Sequence, residues 1–262
     1  MYNDFEVGNV DSRHRSNDEL RTSLIVAGKE APKGARTYTT GLRSTEDGQT
    51  FCGGSLISPT HVLTASHCAE VEIRWVSIGS HYVNGTLDGE QIRVVARMNH
   101  PKYGENATYS NDFLVLELER PSSFKPVKLA AFDDSDIKKG EWATVLGWGR
   151  TGDNDTQPYE LQTAKVQLWN NDECAKKLSE VDIEATGQVD DTMVCAGGGI
   201  EDACYGDSGG PLIKETPGGE YILIGVVSWG AGCSIKEAPT AYARVSTARS
   251  WIETFSNSSC FK

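Results

Sequence analysis

The sequence predicts an all-β protein, and three features of it support this prediction. Glycine occurs 27 times among 262 residues, the apolar runs are short, and they end at Gly, Asn, Asp or Pro. Short apolar runs bounded by such turn-forming residues are typical of β-strands. A chain of this length can bury a sizeable core in one or two domains.

Strand-like runs fall into two groups, separated by a Lys- and Asp-rich connection near residues 126–140. The first group comprises residues 50–57, 62–65, 74–78, 91–98 and 113–118. The second group comprises residues 142–148, 162–169, 192–196, 211–214, 221–229 and 241–245. From about Ser246 onward, Ala248, Trp251, Ile252 and Phe255 recur at helical spacing, which predicts a C-terminal helix.

The charge and hydropathy of the chain argue against two kinds of partner. The net charge is −12 at pH 7, whereas nucleic acids and anionic membranes require a basic face. No stretch approaches the roughly 20 consecutive apolar residues of a membrane-spanning helix. The sequence therefore predicts a soluble protein with no nucleic-acid and no membrane partner.

The segment Gly-Asp-Ser-Gly-Gly at residues 206–210 makes Ser208 a candidate nucleophile. Glycines beside a serine let the backbone approach a substrate and adopt conformations that a Cβ would forbid. The N–H groups of Gly206 and Ser208 would then converge as an oxyanion hole, which is typically worth about 3 to 4 kcal/mol per donor. A glycine-rich turn without catalytic function has the same local pattern, so a nucleophile also requires a base elsewhere in the chain.

The order of residues along the chain narrows the choice of base. All five histidines precede Ser208, whereas in the α/β-hydrolase fold the histidine follows the serine. The remaining order is His, Asp, Ser. His67, in the segment Thr-Ala-Ser-His-Cys, and Asp112, directly before the apolar run 113–118, are the candidate base and its carboxylate partner. His61, His81 and His100 are interpreted as structural or surface residues.

Four segments, at residues 64–68, 111–116, 206–211 and 228–230, together resemble the chymotrypsin and trypsin family of serine peptidases. The resemblance extends from Ile25 to about Trp251. It implies two packed six-stranded antiparallel β-barrels, at about 25–130 and 131–245, and a C-terminal helix at about 246–257. His67 and Asp112 would come from the first barrel and Ser208 from the second. His67 would act as general base, and Asp112 would hold the imidazole in the productive tautomer.

The resemblance also implies a primary substrate pocket with Asp202 at its base, which in the trypsin-like branch favours Arg or Lys. Thr240 would lie on the pocket wall, where trypsin-like enzymes usually have glycine. The sequence predicts cleavage after Arg more than after Lys, and leaves open whether Thr240 blocks both. The substrate-binding residues implied are Asp202, Ala203, Ser228, Trp229, Gly230 and Thr240, of which Ser228 to Gly230 would pair with the substrate backbone.

Residues 1–24 are polar and are predicted to form a pro-segment, followed by a peptidase domain at residues 25–262. The segment Ile-Val-Ala-Gly that begins at Ile25 resembles the N-terminus that the family creates by cleavage. Cleavage between Leu24 and Ile25 would free an ammonium group to pair with Asp207, forming the activation ion pair. Family zymogens are most often cut after Arg or Lys, so Leu24 indicates an unusual activating protease.

The family pattern pairs six of the seven cysteines, as Cys52–Cys68, Cys174–Cys195 and Cys204–Cys233. Cys260 is then left over, as a free thiol or a link between two chains. Disulfides indicate an oxidising compartment, and sequons at Asn84, Asn106, Asn154 and Asn257 are compatible with secretion. The sequence therefore predicts a secreted, extracellular glycoprotein.

No metal and no cofactor is predicted. In the loop 80–90, Ser80 and Leu87 stand where calcium-binding family members carry acidic ligands, and Asp88 with Glu90 alone are too few oxygen donors. The predicted function is that of a monomeric, secreted serine endopeptidase made as a zymogen. It would act on protein or peptide substrates, with protein protease inhibitors as further candidate partners. The alternative is a catalytically weak or silent homologue that acts as a protein-binding module, because a fold alone does not fix function.

Overall fold

The structure is a computed structural model that describes residues 28–150, 156–233, 235 and 237–256. The predicted pro-segment, the Leu24–Ile25 bond, Asn154, Asn257 and Cys260 lie outside the described residues. Among the helices that are described, none is long and apolar enough to cross a membrane.

The first half of the chain forms a closed six-stranded barrel. After a short strand β1 (Lys29–Glu30), which belongs to the second sheet, the barrel strands are β2 (Thr39–Arg43), β3 (Cys52–Ser58), β4 (His61–Thr64), β5 (Trp75–Ile78), β6 (Glu90–Asn99) and β7 (Leu114–Leu118). Every pair is antiparallel, in the order β2-β3-β4-β7-β6-β5, and β5 returns to β2. Along β6, buried Ile92 alternates with exposed Arg93 because only one face of the strand packs on the barrel core.

The second half forms an eight-stranded sheet with the order β1-β10-β9-β12-β13-β14-β11. Its remaining strands are β8 (Lys128–Leu129), β9 (Trp142–Gly147), β10 (Gln162–Gln167), β11 (Met193–Gly197), β12 (Pro211–Glu215), β13 (Tyr221–Trp229) and β14 (Pro239–Arg244). A single bridge between Leu168 and Ala196 joins the end of β10 to β11 and closes this sheet into a second barrel. The short strand β8 pairs in parallel with β13, which departs from the all-antiparallel expectation.

Two helices complete the fold. The C-terminal helix α2 (Val245–Ser256) follows β14 directly, as the spacing of its apolar residues predicts. The helix α1 (Asn171–Val181) was not predicted, because only Cys174 and Leu178 of its residues are buried and the apolar signal is weak. Its start is marked by Asn170, whose side chain accepts from the N–H of Asp172 as an N-cap.

The predicted strands all exist, with ends that shift by a few residues. The structure adds β2, which the sequence analysis missed because its residues Thr-Thr-Gly-Leu-Arg lack an apolar run, yet all five are buried. It also adds the two-residue strands β1 and β8. The three disulfides Cys52–Cys68, Cys174–Cys195 and Cys204–Cys233 are the pairs that the family pattern implies.

The two barrels meet where β3 passes the turn that carries Ser208. A Cβ on Gly53 would lie 2.7 Å from the Cα and 2.9 Å from the N of Gly210, closer than real side chains approach a backbone. The Gly53 N–H donates to the Ser208 carbonyl at 2.7 Å. Glycine at position 53 therefore lets the first barrel bind the nucleophile turn directly.

We predict that Gly53→Ala destabilises the protein by about 1 to 3 kcal/mol, the usual cost of inserting a carbon into a closely packed contact. Urea unfolding followed by circular dichroism measures the loss. Gly199→Ala is the matched control, because a Cβ there meets nothing within 4 Å. Equal stability of the two variants would show that the contact between Gly53 and Gly210 does not hold the barrels together.

Candidate active site

His67 is held by a buried carboxylate. It lies in the 3-10 turn Ser66–Glu70 that follows β4, and Asp112 lies just before β7 with no exposed surface. Asp112 Oδ2 is 2.7 Å from His67 Nδ1, and its Oδ1 accepts from the His67 backbone N–H at 3.0 Å. These two contacts fix both the ring and the backbone of His67. Nε2 is the ring nitrogen that Asp112 does not contact.

Ser228 provides a further donor to the same carboxylate. Its Oγ donates to Asp112 Oδ2 at 2.6 Å, across the junction between β13 and the first barrel. The resemblance to the family implies for Ser228 only a contact with the substrate backbone, so its side-chain contact with Asp112 was not predicted. A buried carboxylate needs several hydrogen-bond donors. The Ser228 hydroxyl, in the segment predicted to pair with substrate, was the only feature of the sequence that indicated this donor.

The turn at Ser208 depends on its glycines. Gly206 and Gly209 have φ angles of 97° and 77°, in the left-handed region where glycine is favoured. A Cβ on Gly209 would lie 2.2 Å from Thr64 Oγ1 and 2.5 Å from the Gly53 carbonyl oxygen. The turn is thus packed against the end of β4, which leads directly to His67.

The two N–H groups predicted for the oxyanion hole remain available. Within the described residues, neither the Gly206 nor the Ser208 N–H donates to another protein atom. The Tyr205 carbonyl accepts from the Arg150 N–H at 2.7 Å, so this carbonyl is directed toward Arg150. Unpaired N–H groups beside a serine can stabilise negative charge on an attacked carbonyl oxygen.

His67 and Ser208 line one cleft of about 250 Å³, together with Tyr109, Ala203, Trp229, Gly230 and Thr240. No hydrogen bond joins the Ser208 hydroxyl to His67 within the described residues, where the hydrogen-bonding contact of His67 Nε2 is Cys68 Sγ at 4.0 Å. Such contacts are often long without substrate and tighten when one binds. The structure therefore brings His67 and Ser208 to one cleft, with Asp112 buried beside His67.

Two aromatic side chains form one wall of this cleft, and only one of them was predicted to lie there. Tyr109 meets the His67 ring edge-on, with centroids 5.9 Å apart, and stacks on Trp229 at 6.2 Å. Trp229 was predicted to be substrate-binding, but Tyr109 was not. Its position three residues before Asp112 was the only signal that placed it near the site.

Asp202 is buried beneath the cleft and is already hydrogen-bonded. Its Oδ1 accepts from the Ala203 N–H at 2.8 Å and from Thr240 Oγ1 at 3.1 Å, and its Oδ2 accepts from the Gly198 N–H at 2.9 Å. Burial raises the pKa of Asp202 to about 6, although these donors oppose the shift. Thr240 lines the cleft, whereas Asp202 does not.

Asp207 is a second carboxylate buried beneath the site. It accepts from the Gly149 N–H at 2.7 Å and from the Cys204 N–H at 2.9 Å, and a Cβ on Gly147 would lie 2.0 Å from Oδ1. Burial raises the pKa of Asp207 to about 6, and the negative charge of Asp202 adds to the shift. No cation among the described residues forms an ion pair with it, and Ile25 lies outside them.

The acidic residues of the loop 80–90 are bound to protein donors. Asp88 accepts from Ser80 Oγ at 2.6 Å and from the His81 N–H. Glu90 accepts from Ser123 Oγ at 2.6 Å. Asp88 and Glu90 therefore accept hydrogen bonds from different protein groups.

Two β-barrels with this site at their junction define the class of chymotrypsin-fold proteins, the serine peptidases and their relatives. The chain belongs to the trypsin family, whose family model matches residues 25–252. It is 51% identical to glucanase inhibitor protein 3 of Phytophthora infestans, over 90% of this chain and 89% of that protein. It is 50% identical to glucanase inhibitor protein 2 of the same organism, over 90% of each. It is 38% identical to a trypsin of Saccharopolyspora erythraea, over 84% of this chain and 93% of the trypsin.

We predict that Asp202 makes the folded protein less stable as the pH rises. Its pKa is raised from 3.8 to about 6 in the folded state, so folding favours the protonated form. The favourable contribution is fully present below about pH 4 and is lost as the pH passes about 6, a change on the order of 3 kcal/mol. Asp202→Asn cannot titrate. The difference in unfolding free energy between wild type and Asp202→Asn, measured by urea unfolding from pH 4 to 7, should therefore move against the wild type as the pH rises. A difference that is constant across this range would contradict the prediction.

Proposed function

We propose that this protein binds a glucanase and inhibits it, using the rim of its cleft as a protein-binding surface. The observation that carries the proposal is the similarity to glucanase inhibitor proteins, at 50–51% identity over 90% of the chain. The similarity to the bacterial trypsin is lower, at 38%. We also propose that the protein is secreted, since three disulfides suit an oxidising compartment, and that it acts as a monomer.

The surface next to the cleft supports protein binding. Ile200 and Tyr205 are 80% and 63% exposed, and Ile235 is also exposed. These three residues, here called the apolar rim, lie on two loops that the Cys204–Cys233 disulfide joins, with Cα atoms 4.8 Å apart. Exposed apolar and aromatic side chains grouped in this way are characteristic of protein contact surfaces.

Ile200→Asp should weaken glucanase binding at least tenfold, which corresponds to about 1.4 kcal/mol, because it places a charge without a partner in an apolar contact that binding buries. The association is measured by surface plasmon resonance with a panel of endo-glucanases immobilised separately. Ile183→Asp is the matched control, since Ile183 is 79% exposed and lies in the turn Ile183–Ala185, outside the two loops that the Cys204–Cys233 disulfide joins. Equal loss in both variants, or none in either, would remove the apolar rim from the interface.

Peptide hydrolysis is the second candidate function, and the contact of Asp112 with His67 supports it. In this reaction the Ser208 hydroxyl attacks the peptide carbonyl while His67 accepts its proton. The N–H groups of Gly206 and Ser208 stabilise the oxyanion, and His67 then donates the proton to the leaving amine to give an acyl-enzyme. Water hydrolyses that ester by the same steps. Activation would follow cleavage between Leu24 and Ile25, which supplies an ammonium group for Asp207.

Ser208→Ala separates the two functions in one experiment. Wild type and Ser208→Ala are each incubated with the glucanase that binds, and residual glucan hydrolysis is assayed beside an electrophoresis gel. If the protein inhibits by binding, we expect equal inhibition by both and an intact glucanase band. Inhibition by the wild type alone, with fragments of the glucanase, would reject the binding proposal in favour of proteolysis.

A serine-directed fluorophosphonate tests the peptidase candidate by itself. After cleavage at Leu24–Ile25, the wild type should be labelled at Ser208. His67→Ala should lower the labelling rate by several orders of magnitude, as is general when one member of a catalytic unit is removed. His61→Ala is the control, because His61 pairs with Ser58 Oγ at 3.0 Å, away from the cleft. A correctly cut wild type without label would exclude catalysis and leave the binding proposal intact.

A further inference from the structure

We propose that a second cavity of the protein, separate from the cleft, binds a phosphate or sulfate group. This cavity has a volume of about 260 Å³ and shares no lining residue with the cleft. Tyr221 at the start of β13 lines the cavity, and Trp229 at the end of the same strand lines the cleft. The nine residues of the strand place these two ends roughly 25 Å apart. The proposal is therefore independent of both functions proposed for the cleft.

Three segments that are distant in sequence form the cavity. Arg36 and Tyr38 come from the segment that leads into β2 of the first barrel. Lys125 and Lys128 come from the connection between the barrels, around the start of β8. Residues 219–221 come from the turn between β12 and β13 and the first residue of β13, in the second barrel. Because both barrels and their connection contribute, the cavity exists only in the assembled fold.

The lining of the cavity is cationic, although the whole chain has a net charge of −12. Its cationic residues are Arg36, Lys125 and Lys128. Among the described residues that line it, the one carboxylate is that of Glu220, which is 2.5 Å from Lys128 Nζ. The hydrogen bond with Lys128 lowers the pKa of Glu220, and the charge of Lys125 adds to this shift. Three cations against one carboxylate leave an excess of two positive charges in the lining.

Two hydrogen-bond donors of this lining are buried and unpaired. Tyr38 is 5% exposed, and within the described residues neither its hydroxyl nor Nε of Arg36 makes a hydrogen bond. Burial raises the pKa of Tyr38 well above its usual value, although the charge of Arg36 opposes the shift. The hydroxyl therefore keeps its proton and remains a donor at neutral pH. Buried donors are nearly always paired in folded proteins, so two unpaired donors at one cavity indicate an acceptor from outside the chain.

The aromatic rings of the cavity position the guanidinium of Arg36. Its central carbon lies over the ring of Tyr221, 5.1 Å from the centroid, and Tyr38 packs on the same ring with centroids 6.0 Å apart. A guanidinium stacked on a ring can still donate from its edge, in the fork geometry that suits an oxyanion. A group with several oxygens can accept from Arg36, Tyr38 and a lysine together, which favours phosphate or sulfate over a single carboxylate.

Binding of inorganic phosphate, followed by phosphorus NMR at constant ionic strength, tests the proposal. We expect saturable binding by the wild type, and a loss of about tenfold in Arg36→Gln because a charged donor is removed. Lys125→Gln should also weaken binding. Lys176→Gln is its matched control, since Lys176 is likewise exposed but lies on α1, outside the cavity lining. Tyr38→Phe should weaken binding without loss of stability, because it removes a buried hydroxyl that has no protein partner.

Competition and a second probe make the outcomes distinct. Sulfate should displace bound phosphate, whereas chloride at equal ionic strength should not. Tighter binding of phenyl phosphate than of inorganic phosphate would identify a ligand that carries the group on an organic body, and equal binding would identify the free ion. The absence of saturable phosphate binding would overturn the proposal.

Three further results would also overturn it, provided that circular dichroism shows each variant to be folded. The first is displacement by chloride as effective as displacement by sulfate, which would indicate simple screening of surface charge. The second is wild-type affinity in Arg36→Gln. The third is equal phosphate affinity in Lys125→Gln and Lys176→Gln.

Discussion

The contact between β3 and the turn at Ser208 is the constraint on which the cleft depends. Most of the buried apolar residues of the two barrels belong to one cluster, and neither barrel alone carries both His67 and Ser208. The Gly53 N–H binds the Ser208 carbonyl at 2.7 Å, and Gly53 passes so close to Gly210 that no side chain fits between them. Because Gly209 packs on Thr64 at the end of β4, the same contact sets the distance from the serine to the turn that carries His67.

Three carboxylates are buried near this junction, and they differ in the donors that bind them. Asp112 is bound by the ring and backbone of His67 and by Ser228. Asp202 is bound by two N–H groups and a hydroxyl. Asp207 has the N–H groups of Gly149 and Cys204 and no side-chain donor among the described residues. A buried ionised carboxylate without a charged partner favours any conformation that brings a cation next to it. Of the three carboxylates, Asp207 is therefore the one that the ammonium group of a new N-terminus would stabilise most.

Much of the architecture could be predicted from the sequence, because short apolar runs and separated motifs are local signals. The strands β9 and β13 and the helix α2 each have a continuous or periodic apolar pattern, and the structure has them there. The strand β2 could not be predicted from local sequence. Strands β3 and β5 pair with both of its edges within the closed barrel, and its polar residues become buried only when that barrel is assembled. The helix α1 has too few buried residues to give a signal.

The site was predictable in its residue types but less so in its contacts. Asp202 alone indicated a pocket for cations, since its position before Ser208 can be read from the sequence. The distance from Thr240 Oγ1 to Asp202 depends on the pairing of β11 with β14, which sets Ala196 opposite Thr240. Register between strands that are distant in sequence is a tertiary property, so the hydrogen bond between Thr240 and Asp202 appears only in the folded chain.

The three predicted triad residues differ in what their presence implies for the two proposed functions, glucanase binding and peptide hydrolysis. His67 and Asp112 have structural value whatever the protein does, because their contacts satisfy a buried carboxylate at the barrel junction. A binding protein would be stabilised by the same contacts. The Ser208 hydroxyl differs, since within the described residues it makes no hydrogen bond. Of the polar groups of Ser208, only the carbonyl is bound, by the Gly53 N–H. Binding through the apolar rim has no evident requirement for that hydroxyl, whereas acyl transfer depends on it. Ser208 is therefore the residue at which an inhibitor and an enzyme on this fold differ chemically.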